Sequence, residues 1–409
     1  MTQASLGAAR TDPQILVAGA GATGIAAALA LSRGGFRVVL AGRSPPPLPG
    51  RTVALFEGSL RFLAAVGALN KIKEKACPIE AIEMIDDTGQ LLPTPDLKLR
   101  ASEIGLKALG INISNDDLVA VLRDLIAERS DFEVVEGDIA DYVFDGAGAV
   151  ATFKDGRTIT ADFVVAADGK QSRARDMAGI DTREWSYPQV ALTAVLAHED
   201  PHRNVSVEHH TRSGPFTLVP LPPGPSAPHR SSLVWLMSLA DAKRRLSRPR
   251  EELAYELQDR SHGRFGAIRI ESDIGQFRMG GLQVTRHAQG RIALVGETCH
   301  AFPPIGAQGL NLSLRDVADL EECLAGVDLR KARSLASALA RYDRRRRADI
   351  GFRTLGVDIL NRSLILPYLP VDLLRGASFI AMNALGPLRR AVIREGVTPH
   401  LLLPRLMRA

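Results

Sequence analysis

Apolar runs and polar breaks give the first map of the chain. Ile15-Leu16-Val17-Ala18 is an apolar run short enough for a buried strand, and glycines follow at Gly19, Gly21 and Gly24. Ile25 to Arg33 is rich in Ala and Leu, and Phe36 to Ala41 is apolar again. The pattern predicts a strand over 15–18, a tight turn over 19–24, a helix over 25–33 and a strand over 36–41, which together make a βαβ unit. Ser44-Pro45-Pro46-Pro47-Leu48-Pro49-Gly50 suits only an exposed connection, because proline lacks the backbone donor. Phe56, Leu60, Leu63 and Val66 recur at helical spacing and predict a helix over 55–66. Ser114 to Asp117 reads as an N-cap region opening a helix over 118–128. Strands are expected over 149–153 and 158–166, either side of an Asp155-Gly156 turn. From Tyr187 to Phe277 short alternating runs predict a separate antiparallel sheet. A buried strand over 291–295 and a helix over 308–324 follow, and beyond residue 330 the pattern is helical, cut by Pro367, Pro370 and Pro387.

Composition narrows the class. The 409 residues, 45% hydrophobic and 24% charged, suggest two or three domains and exclude a disordered or collagen-like chain. Cys77, Cys299 and Cys323 are far apart, which suits a reducing compartment and argues against a zinc cluster. The uncharged stretch Ile15–Ser32 contains three glycines and lacks a basic flank, so it reads as strand-turn-helix, and no span across a bilayer is expected. The net charge of +5 is unevenly placed: residues 331–409 hold 15 basic and 5 acidic side chains, so the body is mildly acidic.

Three motifs carry the candidate chemistry. Gly19-x-Gly21-x-x-Gly24 sits between strand and helix, where glycine permits the turn and lets a pyrophosphate approach the helix N-terminus. The acidic residue that usually follows the second strand is absent: Leu40-Ala41 leads into Gly42-Arg43. Arg43 suits a 2′-phosphate, so this motif alone leaves FAD and NADP open. The second motif, Val164-Val165-Ala166-Ala167-Asp168-Gly169, continues to Ser172 and Arg175; in isolation it is an ordinary turn with Asp168 capping. The third runs from Gly296-Glu297 through Pro303-Pro304-Ile305-Gly306-Ala307-Gln308-Gly309-Leu310-Asn311 to Asp316. Its loop leaves the amides from Ala307 to Leu310 unpaired at the positive end of a helix, where an anionic ring would be stabilised.

In this order and spacing the three motifs resemble the class A flavoprotein monooxygenases of the para-hydroxybenzoate hydroxylase fold. Within that group the chain is most similar to the ubiquinone-biosynthesis hydroxylases, along essentially its whole length. The resemblance implies an α/β fold: a Rossmann-like, glutathione-reductase-like FAD-binding domain with an inserted antiparallel β-sheet substrate domain and a C-terminal helical region. The expected boundaries are 1–75, 113–182 and 286–330 for the FAD domain, 76–112 and 183–285 for the substrate domain, and 331–409 for the helices. It further implies bound FAD, transient NADPH or NADH, and O₂ as co-substrate, with a polyprenylated phenol hydroxylated through a flavin C4a-hydroperoxide.

By the same resemblance Gly19, Gly21 and Gly24 would bind the FAD pyrophosphate and Arg51 the flavin or its phosphates, with Arg43 nearby. Asp168 and Gly169 would approach FAD and the nicotinamide, with Ser172 and Arg175 supporting the turn. Gly296-Glu297, in place of the family's Gly-Asp, would reach the ribityl chain. Pro304, Gly306, Gln308, Gly309, Leu310 and Asn311 would line the flavin; Pro304, Gly306 and Gln308 are the catalytic candidates, with no acid or base assigned and no metal. Gly42 departs from the family's ribose-binding Glu.

Other conspicuous residues have plainer readings. Cys299-His300 should diverge as neighbours and serve packing, His209-His210 should lie at the surface, and Trp185 and Trp235 should pack the core. Arg344–Arg347 should form a solvated helix face, not a nucleic-acid site, since no aromatic interleaves them. The Arg-rich, Leu-rich tail suits an anionic membrane surface or a ubiquinone-synthesis partner, at the cytoplasmic face of the membrane. Open alternatives are a hydroxylase of a soluble aromatic or natural product, a non-catalytic flavin scaffold, and an NADP-dependent dehydrogenase.

Overall fold

Every residue of Gln14–Ala18 is buried, and this strand, β1, organises the nucleotide-binding half. The computed structural model describes residues 14–47, 50–89, 95–129, 132–302, 307–365, 369–397 and 403–408. Helix α1 (Ala22–Arg33) packs Gly24 to Leu31 against the sheet and leads to β2 (Arg37–Ala41). The chain then makes β3 (Thr52–Phe56), α2 (Glu57–Ala65), α3 (Leu69–Glu74), β4 (Cys77–Ile79), β5 (Ala81–Asp86), β6 (Leu97–Arg100) and β7 (Gly110–Ser114). The helix expected over 55–66 therefore begins two residues late. Thr52 to Phe56 are drawn into a strand by antiparallel pairing with β7, a partner too distant for local periodicity to reveal.

Ser114 caps α4 (Asn115–Ala127) as its pattern predicts, its Oγ accepting the Asp117 N–H at 3.0 Å. Next come β8 (Glu133–Val135), β9 (Ile139–Phe144), β10 (Ala149–Phe153), β11 (Thr158–Ala161), β12 (Phe163–Ala166) and α5 (Arg173–Met177). The large sheet is built from β13 (Thr182–His198), β14 (Val205–Thr211), β15 (Gly214–Leu221) and β16 (Arg230–Ser238), then α6 (Leu239–Leu246), α7 (Arg250–Arg260), β17 (Ile268–Ile270) and β18 (Gly275–Val284). The chain returns through β19 (Ala288–Gln289), β20 (Ile292–Leu294) and β21 (His300–Ala301) to α8 (Gln308–Leu324), α9 (Ala332–Ile365), α10 (Leu369–Ala384) and α11 (Gly386–Val397).

The nucleotide-binding sheet has the order β19-β20-β12-β1-β2-β8, parallel apart from the β19 edge. One face packs on α1, α2, α4 and α8, and the other on the small β9–β11 sheet. The second large sheet runs β21-β18-β13-β16-β15-β14-β5-β6, with β17 also on β13; it is antiparallel except where β14 meets β5. Its outer face is covered by α6 and α7 over Trp235 and Phe216. The segment 76–112 divides: β5 and β6 join this sheet, whereas β7 pairs with β3 on one side and β4 on the other.

The C-terminal helices and the large sheet each correct one expectation. Arg344 and Arg347 are exposed, but Arg346 is fully buried against Asp316 (2.7 Å), Asp319 (2.9 Å) and Asp349 (2.9 Å). One residue of the basic run thus turns inward as the carboxylates of α8 and α9 neutralise it. His209 and His210 are also buried, at 1% and 2% exposure, because β14 is an interior strand. Arg375 ties α10 to the large sheet through Asp86 at 2.8 Å.

Candidate functional site

The three motifs meet at the C-terminal ends of the adjacent parallel strands β1, β12 and β20, the usual ligand crevice of such a sheet. Gly19 has φ +120°, and a Cβ there would lie 2.2 Å from the Ala167 carbonyl oxygen. At Gly24 a Cβ would lie 1.8 Å from the Gly19 oxygen. These two glycines are required by the protein's own packing. Gly21 differs: its backbone is extended, and a Cβ there meets no described atom within 4 Å. It borders open space at the start of α1, which leaves room for a diphosphate close to the backbone.

The second and third turns are stitched together. Gly169 N–H donates to Thr298 Oγ1 at 3.3 Å, and buried Arg175 donates to the carbonyls of Lys170 (3.0 Å) and Thr298 (3.1 Å). Arg175 is thus a strut beneath the turn. Asp168 accepts Ser172 Oγ–H at 2.5 Å and the Ala174 N–H at 3.2 Å, so it caps α5 together with Ser172. Burial raises the Asp168 pKa above the usual carboxylate range, and these hydrogen bonds offset part of the rise. Thr298 lies at the centre of this joint; as an ordinary residue inside the third motif, it carries no sequence signal of its own.

Gly296, at φ +67°, faces Thr23 of α1 and donates its N–H to Asp316 at 2.8 Å. The Cys299 and His300 side chains converge where divergence was expected. His300 Nε2 lies 2.7 Å from Asp316 Oδ2 and Cys299 Sγ 3.7 Å from the same oxygen, because the chain turns through a short 3₁₀ segment before β21. Burial alone would raise the Asp316 pKa, but the charges of His300 and Arg346 hold it below its ordinary value. Glu297 points outward and meets Arg51 at 3.5 Å, with side-chain exposures of 58% and 42%. A cation and a carboxylate from distant segments therefore share the mouth of the crevice. Arg51 also lies 5.8 Å from the Phe277 ring, on the sheet face opposite α6 and α7, and lines a cavity of about 210 Å³ with Lys75 and Arg230.

Helix α8 starts from Ala307 in the left-handed region, and among the described residues no side chain caps it. The positive end of the helix dipole therefore faces the crevice without a side-chain cap among these residues. Gln308 Oε1 accepts from Arg353 at 3.1 Å, Gly309 is exposed and Leu310 is half-buried. Asn311, expected along the flavin, is held by the protein's own backbone and Ser59. Its Oδ1 accepts from Phe56 N–H (3.0 Å) and Ser59 Oγ (2.7 Å), while Nδ2 donates to Ala54 O (2.8 Å) and Ala307 O (2.6 Å). All four hydrogen-bonding positions are thus spent inside the protein. Pro304 and Gly306 lie outside the described residues.

A family model described as the FAD binding domain matches residues 12–351. The ubiquinone hydroxylase UbiL of Rhodospirillum rubrum is 31% identical over 413 residues, covering 98% of this chain and 94% of its own. The chain belongs to the FAD-dependent ubiquinone hydroxylase family. The 3-demethoxyubiquinol 3-hydroxylase of Escherichia coli K12 is 27% identical, with 93% of this chain and 97% of the relative covered. Among solved structures, the p-nitrophenol 4-monooxygenase PnpA of Pseudomonas putida DLL-E4 superimposes with a TM-score of 0.75 at 17% identity, covering 97% of this chain and 99% of its own.

Family membership makes this hydroxylase an FAD-dependent monooxygenase with the expected fold, and sets aside the dehydrogenase reading of the first motif. The open space at Gly21, the exposed Arg51 and the uncapped α8 fit an anionic dinucleotide. The adenosine end is unusual. Gly42 has φ +149°, and a Cβ there would lie 2.9 Å from Ala20 N, so local packing demands a glycine where the family has Glu. Arg43 pairs with Asp138 at 3.2 Å, which brings a carboxylate to this end from the connection between β8 and β9. No motif in the first βαβ unit points to Asp138.

Proposed function

We propose that this hydroxylase oxygenates the aromatic ring of a polyprenylated phenol in ubiquinone biosynthesis, taking electrons from NADPH or NADH and oxygen from O₂. The observation that carries the reading is the joint between crevice and sheet. Arg51 faces Glu297 on one side and Phe277 on the other. Beside Phe277 the sheet presents Ala191, Leu236 and Met279, flanked by Tyr187 and Val234. An apolar wall of this kind takes a phenol ring and keeps water from the oxygenation step.

Bound FAD supplies the electron transfer and oxygen activation. The chain's residues position it. Gly19 and Gly24 shape the turn, Gly21 admits the diphosphate, and Arg43 with Asp138 serves the adenosine end. Arg51 and Glu297 hold the ribityl and phosphate groups, while Gly296 directs Glu297 toward them. Gln308, Gly309 and Leu310 border the ring system, after the loop that contains Pro304 and Gly306. Asp168 and Gly169 form the edge shared with the visiting nicotinamide cofactor, supported by Ser172 and Arg175. The cavity beside Arg51 gives that cofactor its entry.

The lipidic substrate is matched at the C-terminus. Leu373, Leu374, Ile380, Leu388 and Val392 are exposed on α10 and α11, as is Leu385 between them, with exposed Arg390 and Arg394 nearby in the chain. Among the described residues no helix is long and apolar enough to cross a membrane. An apolar row with a basic rim fits peripheral docking on anionic lipid. The decisive experiment is mass spectrometry of quinone intermediates in a strain lacking the gene. Accumulation of a polyprenylated phenol short of one hydroxyl is expected, with restoration by the wild-type chain. An unchanged quinone profile, with turnover of soluble phenols by the purified enzyme, overturns the reading. Flotation with anionic vesicles should fall on Leu374→Ser with Leu388→Ser; equal flotation overturns the docking surface.

A further inference from the structure

A second cluster of ligating side chains lies away from the flavin crevice. Asp87 follows β5, His209 is on β14, and His262 sits in the turn after α7. Parallel pairing sets Asp86 opposite His210, and Asp87 N–H donates to His210 O at 2.8 Å, which brings the Asp87 carboxylate beside His209. His209 Nδ1 is 2.6 Å from Asp87 Oδ2, and His262 Nε2 is 3.4 Å from that same oxygen. The two imidazoles stand edge to face with centroids 5.0 Å apart. One donor atom from each residue lies within 4.8 Å of the other two.

We propose that Asp87, His209 and His262 bind a divalent transition-metal ion, Zn²⁺, as a structural clamp joining β5, β14 and the turn after α7. Two imidazoles and one carboxylate are borderline donors suited to zinc, which holds its ligands at about 2.0–2.2 Å and hence roughly 3–3.5 Å from one another. The His262–Asp87 separation is already in that range. The His209–Asp87 separation must open by about half an ångström or more, and the ion replaces the proton that now bridges them. His209 is fixed in the core at 2% side-chain exposure, whereas Asp87 (28%) and His262 (59%) are free to adjust and leave a solvent side for a water ligand. Arg264, the neighbouring cation, is paired with Glu83.

The Cys299–His300–Asp316 group makes a useful contrast. It is wholly buried, and Asp316 already holds the Arg346 guanidinium, so neither a cation nor its water can enter. His209 packs against Phe216 on the face covered by α6 and α7, opposite the face that carries Phe277, so the clamp stands apart from the oxygenation chemistry. The proposal does not rest on the substrate assignment.

The test uses the untagged, FAD-loaded protein treated with chelator and then titrated with ZnCl₂, with calorimetry and elemental analysis of the metal kept after gel filtration. One equivalent per chain is expected for wild type, with a rise in Tm. His262→Gln, on an exposed side chain, should bind zinc at least tenfold more weakly and lose the Tm rise, with hydroxylation turnover unchanged. Asp87→Asn should weaken binding likewise. Equal zinc uptake by wild type and His262→Gln, or no retained zinc in wild type, overturns the site.

Discussion

The crevice at the strand ends and the seam between α8 and α9 use the same residue types on opposite terms. In the crevice Arg51 and Glu297 meet at 3.5 Å with about half of each side chain in solvent. Gly21 borders open space, and among the described residues no side chain caps α8. In the seam Arg346, 1% exposed, meets three carboxylates at 2.7–2.9 Å, and Arg315 reaches Asp349 with both contacts at 3.1 Å. Bonding capacity left unspent marks a place for a ligand; capacity spent internally marks a place that holds the fold. Asn311, next to the crevice, spends its side-chain hydrogen bonds internally as the seam residues do.

The glycine turn gives the widest separation of the two classes. Gly24→Val puts a side chain into the Gly19 backbone, so the strand-turn-helix cannot form as it stands; a loss of at least about 3 kcal/mol is expected, read as a lower denaturation midpoint. Gly21→Val keeps an extended backbone and an open Cβ position, so the midpoint of the apoprotein should move by less than about 0.5 kcal/mol. It should nonetheless purify without flavin. If Gly21→Val retains FAD with wild-type absorbance, the open space is not the diphosphate site.

Arg346→Met is the next largest effect. It strands Asp316, Asp319 and Asp349 beside an apolar side chain, a loss of about 3–5 kcal/mol by urea denaturation. Arg344→Met, from the same run but exposed, should stay within about 0.5 kcal/mol. Equal effects at the two positions would remove the distinction between seam and surface.

Much of the crevice is legible in the sequence because its signals are local. Three glycines within six residues, Asp168 next to Gly169, and the long turn into α8 each declare a backbone shape at short range. The seam is not legible in that way. Arg346 finds Asp316 30 residues upstream on another helix, and nothing in a run of four arginines says which one faces inward. The same holds for His209, whose carboxylate partner is 122 residues away. Thr52 to Phe56 read as the start of a helix because the pairing that makes them a strand comes from β7. Local geometry is written in neighbouring residues; charge satisfaction depends on which distant elements pack together.

Acid separates the two regions further. Asp168 has its pKa raised by burial, so the native state binds more protons than the unfolded chain between 3.8 and that raised value. Its charged form costs stability above that window, and the cost is relieved as pH falls through it. Asp316 is shifted down, so its contribution is present above 3.8 and lost only as pH falls through its lower folded value. Asp168→Asn should therefore raise the denaturation midpoint at pH 8, and the gain should shrink as pH falls through that window and vanish below 3.8. A difference that is constant with pH would show that burial of the charge is not what strains this turn.

The smallest stability effect is expected where the crevice pair looks most like a structural salt bridge. Glu297→Gln removes a charge from a pair so exposed that its worth is about 0–1 kcal/mol, so the apoprotein midpoint should barely move. If the pair is instead a pair of ligand groups waiting for flavin, the same change weakens FAD binding by about tenfold, close to 1.4 kcal/mol. Flavin release followed by the recovery of its fluorescence reads this directly. Arg51→Met should match it, and the double variant should lose more than either single one, because each group reaches the cofactor by its own contact. Loss of stability without loss of flavin would make Arg51 and Glu297 a weaker copy of the seam.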